Sequence, residues 1–491
     1  MNTDSKVNLL EQAHAARSSA NWSLLIQCLQ QLIVGEIGSQ SAEGCAVRRT
    51  GVVPSGAEGE NVVPPSQESE VKPLVDLALG KKRSARSQET VTLAEPERAQ
   101  LLDLAIDVLA SGDFHHRWDI AKVIPKLGQS AIAPLIEILE DEDAEEELRW
   151  FAGRILGEFN HPDVITALVE LLKTSDSEEL SAMAAAALGQ IGSKAVAALT
   201  ELLVEEDTRL LAVRSLSHIR RSETIAPLLS VVQDPQISIR AAVIEALGSF
   251  HDSRIPPVLI NALDDLAAPV RREAIIGLSF RPDLREELDL VNRLMPRLYD
   301  FNLDVCAAAV IALERMGTDA AGGALYQVLQ SPHTPTKLQI EIVRALVRVG
   351  TAISLEYLGS CLSQLESVPV WQEIVTVLGR VEQPQLKARA TEILIEMLKS
   401  RHPATQSPSV KQAIALSLGC LGELQAIDPL IQLLADADAG VKLHVITALK
   451  QLAPSAAHSQ LQQLATNVAL APDLKQGVAQ ALAEWTVQDV I

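Results

Sequence analysis

The side chains able to do chemistry in this chain are few and scattered. Its five cysteines are Cys28, Cys45, Cys306, Cys361 and Cys420. They are odd in number and never form a C-x-x-C pair, so no disulfide framework or zinc knuckle is visible, and a reducing compartment fits best. None of the ten histidines is followed by Glu. His115 and His116 are adjacent, and helical neighbours point about 100° apart, so the two do not converge on one ion. No metal ligand set and no catalytic residue is expected. No G-x-x-x-x-G-K-[ST] loop, dinucleotide fingerprint after a strand or G-x-S-x-G elbow occurs. Gly322-Gly323 reads as a turn between helices. A buried cysteine is a small hydrophobe. Cys306 or another repeat cysteine would act as a nucleophile only with a lowered pKa.

Aromatic residues are only 3% of the chain, so their placement carries information. Trp118, Trp150 and Trp371 each fall near the start of a helix. Tryptophan is costly to expose and efficient in an interface. These three, with Arg293, Arg297, Tyr299 and Phe301, are the candidate partner-binding residues. Two further segments stand out. The acidic run Glu140–Glu147 suits a solvated turn leading into a helix N-terminus, where acids interact favourably with the dipole, and it is also able to dock a basic partner. The run Ser400–Ser409 reads as a surface loop able to act in recognition.

The elements that must position these residues repeat. Leucines that close a helix recur at Leu127, Leu156, Leu188, Leu216, Leu247, Leu278, Leu313, Leu346, Leu378, Leu418, Leu449 and Leu482, spaced 28 to 40 residues apart. Gly follows directly at 128, 157, 189, 248, 379 and 419. Such a period marks a solenoid of helix pairs. In the unit Thr224–Gly248, Ile225, Leu228, Leu229 and Val232 share one helix face. Asp234-Pro235 ends that helix. Ile239, Ala242, Val243, Ala246 and Leu247 share a face of the next, and Gly248 suits a tight exit. Seven residues before the anchors stand Arg149, Arg209, Arg240, Arg271, Lys411, Lys442 and Lys475. Trp371 and Cys306 replace the cation in two other units. Acids such as Asp234 and Asp265 lie a few residues earlier, so the basic column reads as a structural ladder joining each helix start to a turn.

The pattern P-L-I-x-x-L followed by D-x-x-V-R-x-x-A-x-x-A-L-G resembles the HEAT repeat, in particular the short repeat of phycobilisome lyase-type proteins. Ala133–Glu140, Ala226–Gly248, Pro257–Leu278 and Asp428–Leu449 carry it. The segment Asn21–Leu32 is similar to the start of cyanobacterial HEAT-repeat proteins. The resemblance spans 97–491. It implies an all-α, armadillo-like superhelix of about twelve helix pairs. For function it implies either a protein-holding scaffold or a bilin lyase subunit acting on phycobiliproteins, with a bilin held transiently at most. The absence of repeated His-Glu dipeptides departs from the di-iron hydroxylase branch of the family.

Organisation and charge complete the reading. Residues 1–35 pattern as a helical hairpin: Val7, Leu9, Leu10 and Ala13 on one helix, and a second helix from Trp22 that Asn21 can cap. Residues 36–95 lose the period and hold the basic cluster Lys81, Lys82, Arg83 and Arg86. They read as a linker or insert unable to offset its ordering entropy, so limited proteolysis is expected to cut there first. Residues 96–491 are the solenoid. The chain has 491 residues, 47% hydrophobic, and a net charge of −21, of which −19 falls on the solenoid. That balance disfavours nucleic acid and anionic membranes and favours a basic or mixed-charge protein partner. No signal peptide and no run of about 18 apolar residues is seen, which points to a cytoplasmic protein. The expected function is a non-catalytic scaffold or assembly factor. The alternative is a bilin lyase subunit or chromophore-handling chaperone serving phycobiliproteins or photosynthetic complex subunits.

Overall fold

A computed structural model describes residues 3–37, 95–467 and 469–485. The expected insert falls, from 38 to 94, outside the described residues, and Cys45 with it. Among the described residues there are helices and no strands, arranged as a hairpin followed by twelve helix pairs. The fold is an α-solenoid. Two compact units are distinguished, Met1–Arg221 and Ser222–Ile491.

In the first unit, helices Thr3–Ser18 and Trp22–Ile37 form the hairpin. Asn21 caps the second as its spacing suggests: its side-chain oxygen accepts from the Leu24 N–H at 3.2 Å. Ala13, Leu25, Leu29 and Leu32 are buried, whereas Val7 is exposed and drops out of the expected stripe. The hairpin lies against helix Glu95–Ser111, with ion pairs Arg17–Asp107 at 2.5 Å and Lys6–Glu97 at 2.9 Å. Three regular pairs follow the short helix Phe114–Ile120. Their second helices are Glu146–Leu156, Glu178–Ile191 and Arg209–Ile219.

The helical run Glu178–Leu202 is long and apolar enough to pass for a membrane span. Its course argues otherwise. Gly192 takes φ +81 and breaks the run, and half of the apolar window is buried within the protein.

The second unit holds eight pairs, from Ile225–Ser230 with Ile237–Gly248 to Pro454–Ala465 with Pro472–Glu484. Within each unit the second helices stack on one another as a continuous layer. Ten of the twelve anchor leucines, from Leu156 to Leu449, are fully buried in that layer. Each fully buried leucine is worth roughly 1.5–3 kcal/mol relative to exposure, and no pair could bury its stripe without neighbours. The two end anchors differ. Leu127 sits in a short 3₁₀ turn, Ile124–Leu127, not in a helix. Leu482 is half-buried, and Ala481 takes the buried place on the last helix.

Two glycine readings change. Gly322 and Gly323 lie inside helix Asp319–Leu329 and form no turn. Gly248 is still helical, and its Cα is close to Gly277 of the next second helix, where an added Cβ would sit 3.0 Å from the Gly277 Cα. The glycine after the anchor thus lets neighbouring helices approach. In three units the left-handed helix exit comes four residues after the anchor leucine, at Gly317, Gly350 and Gly422.

Candidate protein-interaction site

The basic column forms a ladder in the second unit. The Arg240 guanidinium donates to both carboxylate oxygens of Asp265, at 2.8 and 2.9 Å, and to the Asp234 and Pro235 carbonyls of its own turn. Arg271 repeats this one step along. It donates to Asp300 at 2.7 Å twice and to the Asp265 and Leu266 carbonyls. Each acid in turn accepts from a backbone N–H at the start of the following helix, Asp265 from Ala267 and Asp300 from Asn302. One cation therefore ties its own turn to the next. Lys411 pairs with Asp436, which accepts from the Asp438 N–H, and the half-buried Lys442 interacts electrostatically with that acid. Lys475 is exposed. In the first unit Arg149 and Arg209 donate to the Leu139 and Leu203 carbonyls, at 3.0 and 2.7 Å.

The ladder sets local pKa values. Hydrogen bonds from Arg240 hold the Asp265 carboxyl below its ordinary value against the opposing effect of burial. At Asp300 burial pushes upward, and the bonds from Arg271 and the Asn302 N–H outweigh it, so the net shift is downward. Cys306 stands where the cation would be and donates to the Asp300 carbonyl at 3.2 Å. Burial raises its pKa, and it pushes Cys361 up to about 12. Neither thiol is an activated nucleophile. Among the described residues no group of three or more His, Cys, Asp or Glu is placed to hold a metal.

One member of the ladder escapes the sequence spacing. Arg117 is 5% exposed and donates to the Leu109 and Ala110 carbonyls and to Glu145 and Glu147. It lies ten residues before Leu127, not seven, because helix Phe114–Ile120 ends early in 3₁₀ turns. The acidic run is thus partly structural: Glu145 and Glu147 serve Arg117, and Glu146 accepts from the Ser177 hydroxyl.

Trp118, the residue after Arg117, and Trp150 share Phe151 and Arg154 as neighbours. Arg154, on the helix of Trp150, lays its guanidinium 4.5 Å from the Trp118 ring centre and 5.6 Å from that of Trp150. Lys122 stands 5.8 Å from the Trp118 ring. Phe114 stacks beside Trp118, and the buried Phe151 supports Phe114, Trp118 and Trp150 edge-on. Phe114 is exposed, Trp118 is 37% exposed and Trp150 is half-buried. Arg154 is exposed and has no carboxylate partner among the described residues. The result is a surface patch of aromatic faces around a cation, on a rigid base.

The other candidates divide. Trp371 is only 8% exposed and packs edge-on against His402 at 5.2 Å, so it belongs to the core. Arg297 pairs with Asp264 at 2.5 Å, and Arg293 donates to the Leu288 carbonyl at 2.7 Å. Both have local structural partners. Tyr299 and Phe301 are exposed. Sequence reading missed Leu266, which is 99% exposed. It directly follows the ladder acid Asp265 as Phe301 follows Asp300, a signal the repeat alignment contains.

HEAT repeats are identified at residues 132–209, 204–279 and 403–483. No curated protein matches the chain. Among solved structures, an engineered protein is 19% identical, over 72% of this chain and 98% of that one, with a TM-score of 0.29. Human deoxyhypusine hydroxylase in complex with glycerol is 20% identical, over 56% and 98%, with a TM-score of 0.24. Importin beta is 15% identical, over 80% and 61%, with a TM-score of 0.44.

Proposed function

We propose that this chain is a non-catalytic scaffold or assembly factor that holds a partner protein, and that the Phe114–Trp118–Trp150–Arg154 patch is an anchor of that interface. The exposed Trp118 ring stacked on an unpaired arginine carries the reading. Tryptophan and arginine are enriched among interface hot spots, and an aromatic surface that folding leaves uncovered gains by being covered. The neighbouring acidic turn, with Asp141, Glu142 and Asp143 exposed, favours a partner of basic or mixed charge at the rim. The raised thiol pKa values offer no support for covalent chemistry.

The test is affinity capture of the tagged chain from its native lysate beside two variants, Trp118→Ala and Arg154→Glu, with mass spectrometry and a visible spectrum of each eluate. One complex enriched by the parent chain and lost from both variants, with their melting temperatures close to the parent's, supports the proposal. Equal recovery by all three chains removes the patch from the interface. Phycobiliprotein subunits with a bilin band in the eluate would move the assignment to the lyase-type or chromophore-handling role.

A further inference from the structure

The second unit contains a cleft of about 640 Å³ between the exit of helix Pro384–Lys399 and helix Ile427–Leu433. That size is typical of sites for small organic ligands. Leu398 and Leu433 give it apolar wall, while Lys399 and Arg401 bring two cations to its edge. Of the cleft's two carboxylates, Asp436 pairs with Lys411, which also lines the cleft, while Asp428 accepts from the neutral Gln460 amide and keeps its charge. Lys399 and Arg401 have no carboxylate partner among the described residues, in a chain whose acids outnumber its bases 63 to 42.

The backbone at Arg401 is a second, independent observation. Arg401 closes its helix with φ +53. Its N–H bonds the Leu398 carbonyl, and the next N–H, of His402, bonds the Met397 carbonyl. Three other helices in this unit make a left-handed exit with glycine, at 317, 350 and 422. Glycine adopts that conformation freely and arginine does not. Ala20, Arg220 and Asp289 also take a positive φ, and of these four residues Arg401 alone lines the cleft. The surrounding loop is held firmly, which keeps the cleft formed. The His402 ring accepts from the Ala404 N–H at 3.1 Å, so its other nitrogen donates to the Leu362 carbonyl at 2.5 Å, and the ring packs on Trp371.

We infer that this cleft binds a small organic phosphate, a phosphate group on an apolar body, with Lys399 and Arg401 holding the charged group and the leucine wall holding the body. The inference is independent of the aromatic patch. Phenyl phosphate is a suitable probe, with inorganic phosphate and neutral benzyl alcohol as controls, measured by calorimetry on the full chain at low salt. Saturable binding of phenyl phosphate is expected, stronger than either control and weakened by added salt. Lys399→Gln should weaken it about tenfold, the scale of one charge-assisted hydrogen bond. Arg401→Gly is the sharper variant: it should raise the melting temperature by relieving the backbone and still lose binding tenfold or more. No saturable binding by phenyl phosphate, or binding unchanged in both variants, overturns the inference. Binding of acetyl-Phe-Glu-amide without binding of phenyl phosphate would give the cleft to an acidic peptide side chain and overturn it equally.

Discussion

Arg271 shows how a single side chain can join two repeats. Its guanidinium satisfies two carbonyls of its own turn and both oxygens of Asp300, and arginine and acid are both largely buried. Removing one member leaves the other uncompensated, so Arg271→Ala is expected to cost roughly 3–5 kcal/mol in denaturant melts. Arg293→Ala, which removes one bond from an exposed side chain, should cost less than about 1 kcal/mol. Equal costs would dissolve the ladder as a stabilising device. The ladder also predicts a pH signature. A carboxylate whose folded pKa is depressed contributes stability that is complete above its unfolded pKa of about 3.9. That contribution disappears as pH falls through the lower folded value. The stability gap between the parent chain and Asp300→Asn should therefore be constant above about pH 5 and close below about pH 4. A gap that widens on acidification would contradict the depressed pKa. Spacing alone exposed most of this column because the repeat fixes its register. Arg117 stayed hidden because a shortened helix shifts that register by three residues, and the fate of Trp371 depended on His402 arriving from another repeat.

Helix packing depends on where glycine stands, and here the sequence was legible in position and incomplete in role. A Gly after the anchor leucine reads as a helix exit. Gly379 does stand at the end of helix Val368–Leu378, and it is also a contact: a Cβ there would lie 2.5 Å from the Ser417 Cβ and 2.7 Å from its Cα. At the same crossing the Ser417 hydroxyl donates to the Val375 carbonyl at 2.9 Å. Sequence periodicity gives the face of each helix but not the distance to its neighbour, which is why the contact was not legible. Gly379→Ala should therefore destabilise by about 1–3 kcal/mol through overpacking, although its backbone is helical and suits alanine. Gly323 supplies the contrast. It is mid-helix, and the nearest atom to an added Cβ is the Tyr357 hydroxyl at 3.5 Å, an ordinary contact. Gly323→Ala should stabilise by about 0.5–1 kcal/mol, by helix propensity and a less free unfolded chain. Chemical denaturation of the two variants decides both; a loss at 323 equal to that at 379 would mean that helix spacing is not the controlling variable.

At the scale of the whole molecule, a repeat array has no single core, and its stability is a sum of repeat and interface terms. Damage should then stay near where it is done. Leu247 is fully buried in the layer of second helices, and the helix that carries it packs on Ala268–Ser279. Leu247→Ala should cost about 2–5 kcal/mol, as buried leucine truncations do. The loss should fall on its own repeat and the neighbours sharing its interfaces, while helices Glu95–Ser111 and Glu146–Leu156 of the first unit keep theirs. Hydrogen exchange separates the alternatives, because it reads opening free energy segment by segment. Faster exchange over 237–279 with unchanged protection over 95–156 is the expected pattern. A uniform loss along the chain would mean that the array opens as one cooperative body and that the division at residue 221 has no energetic meaning. A change within about 0.5 kcal/mol everywhere would instead remove Leu247 from the set of anchors.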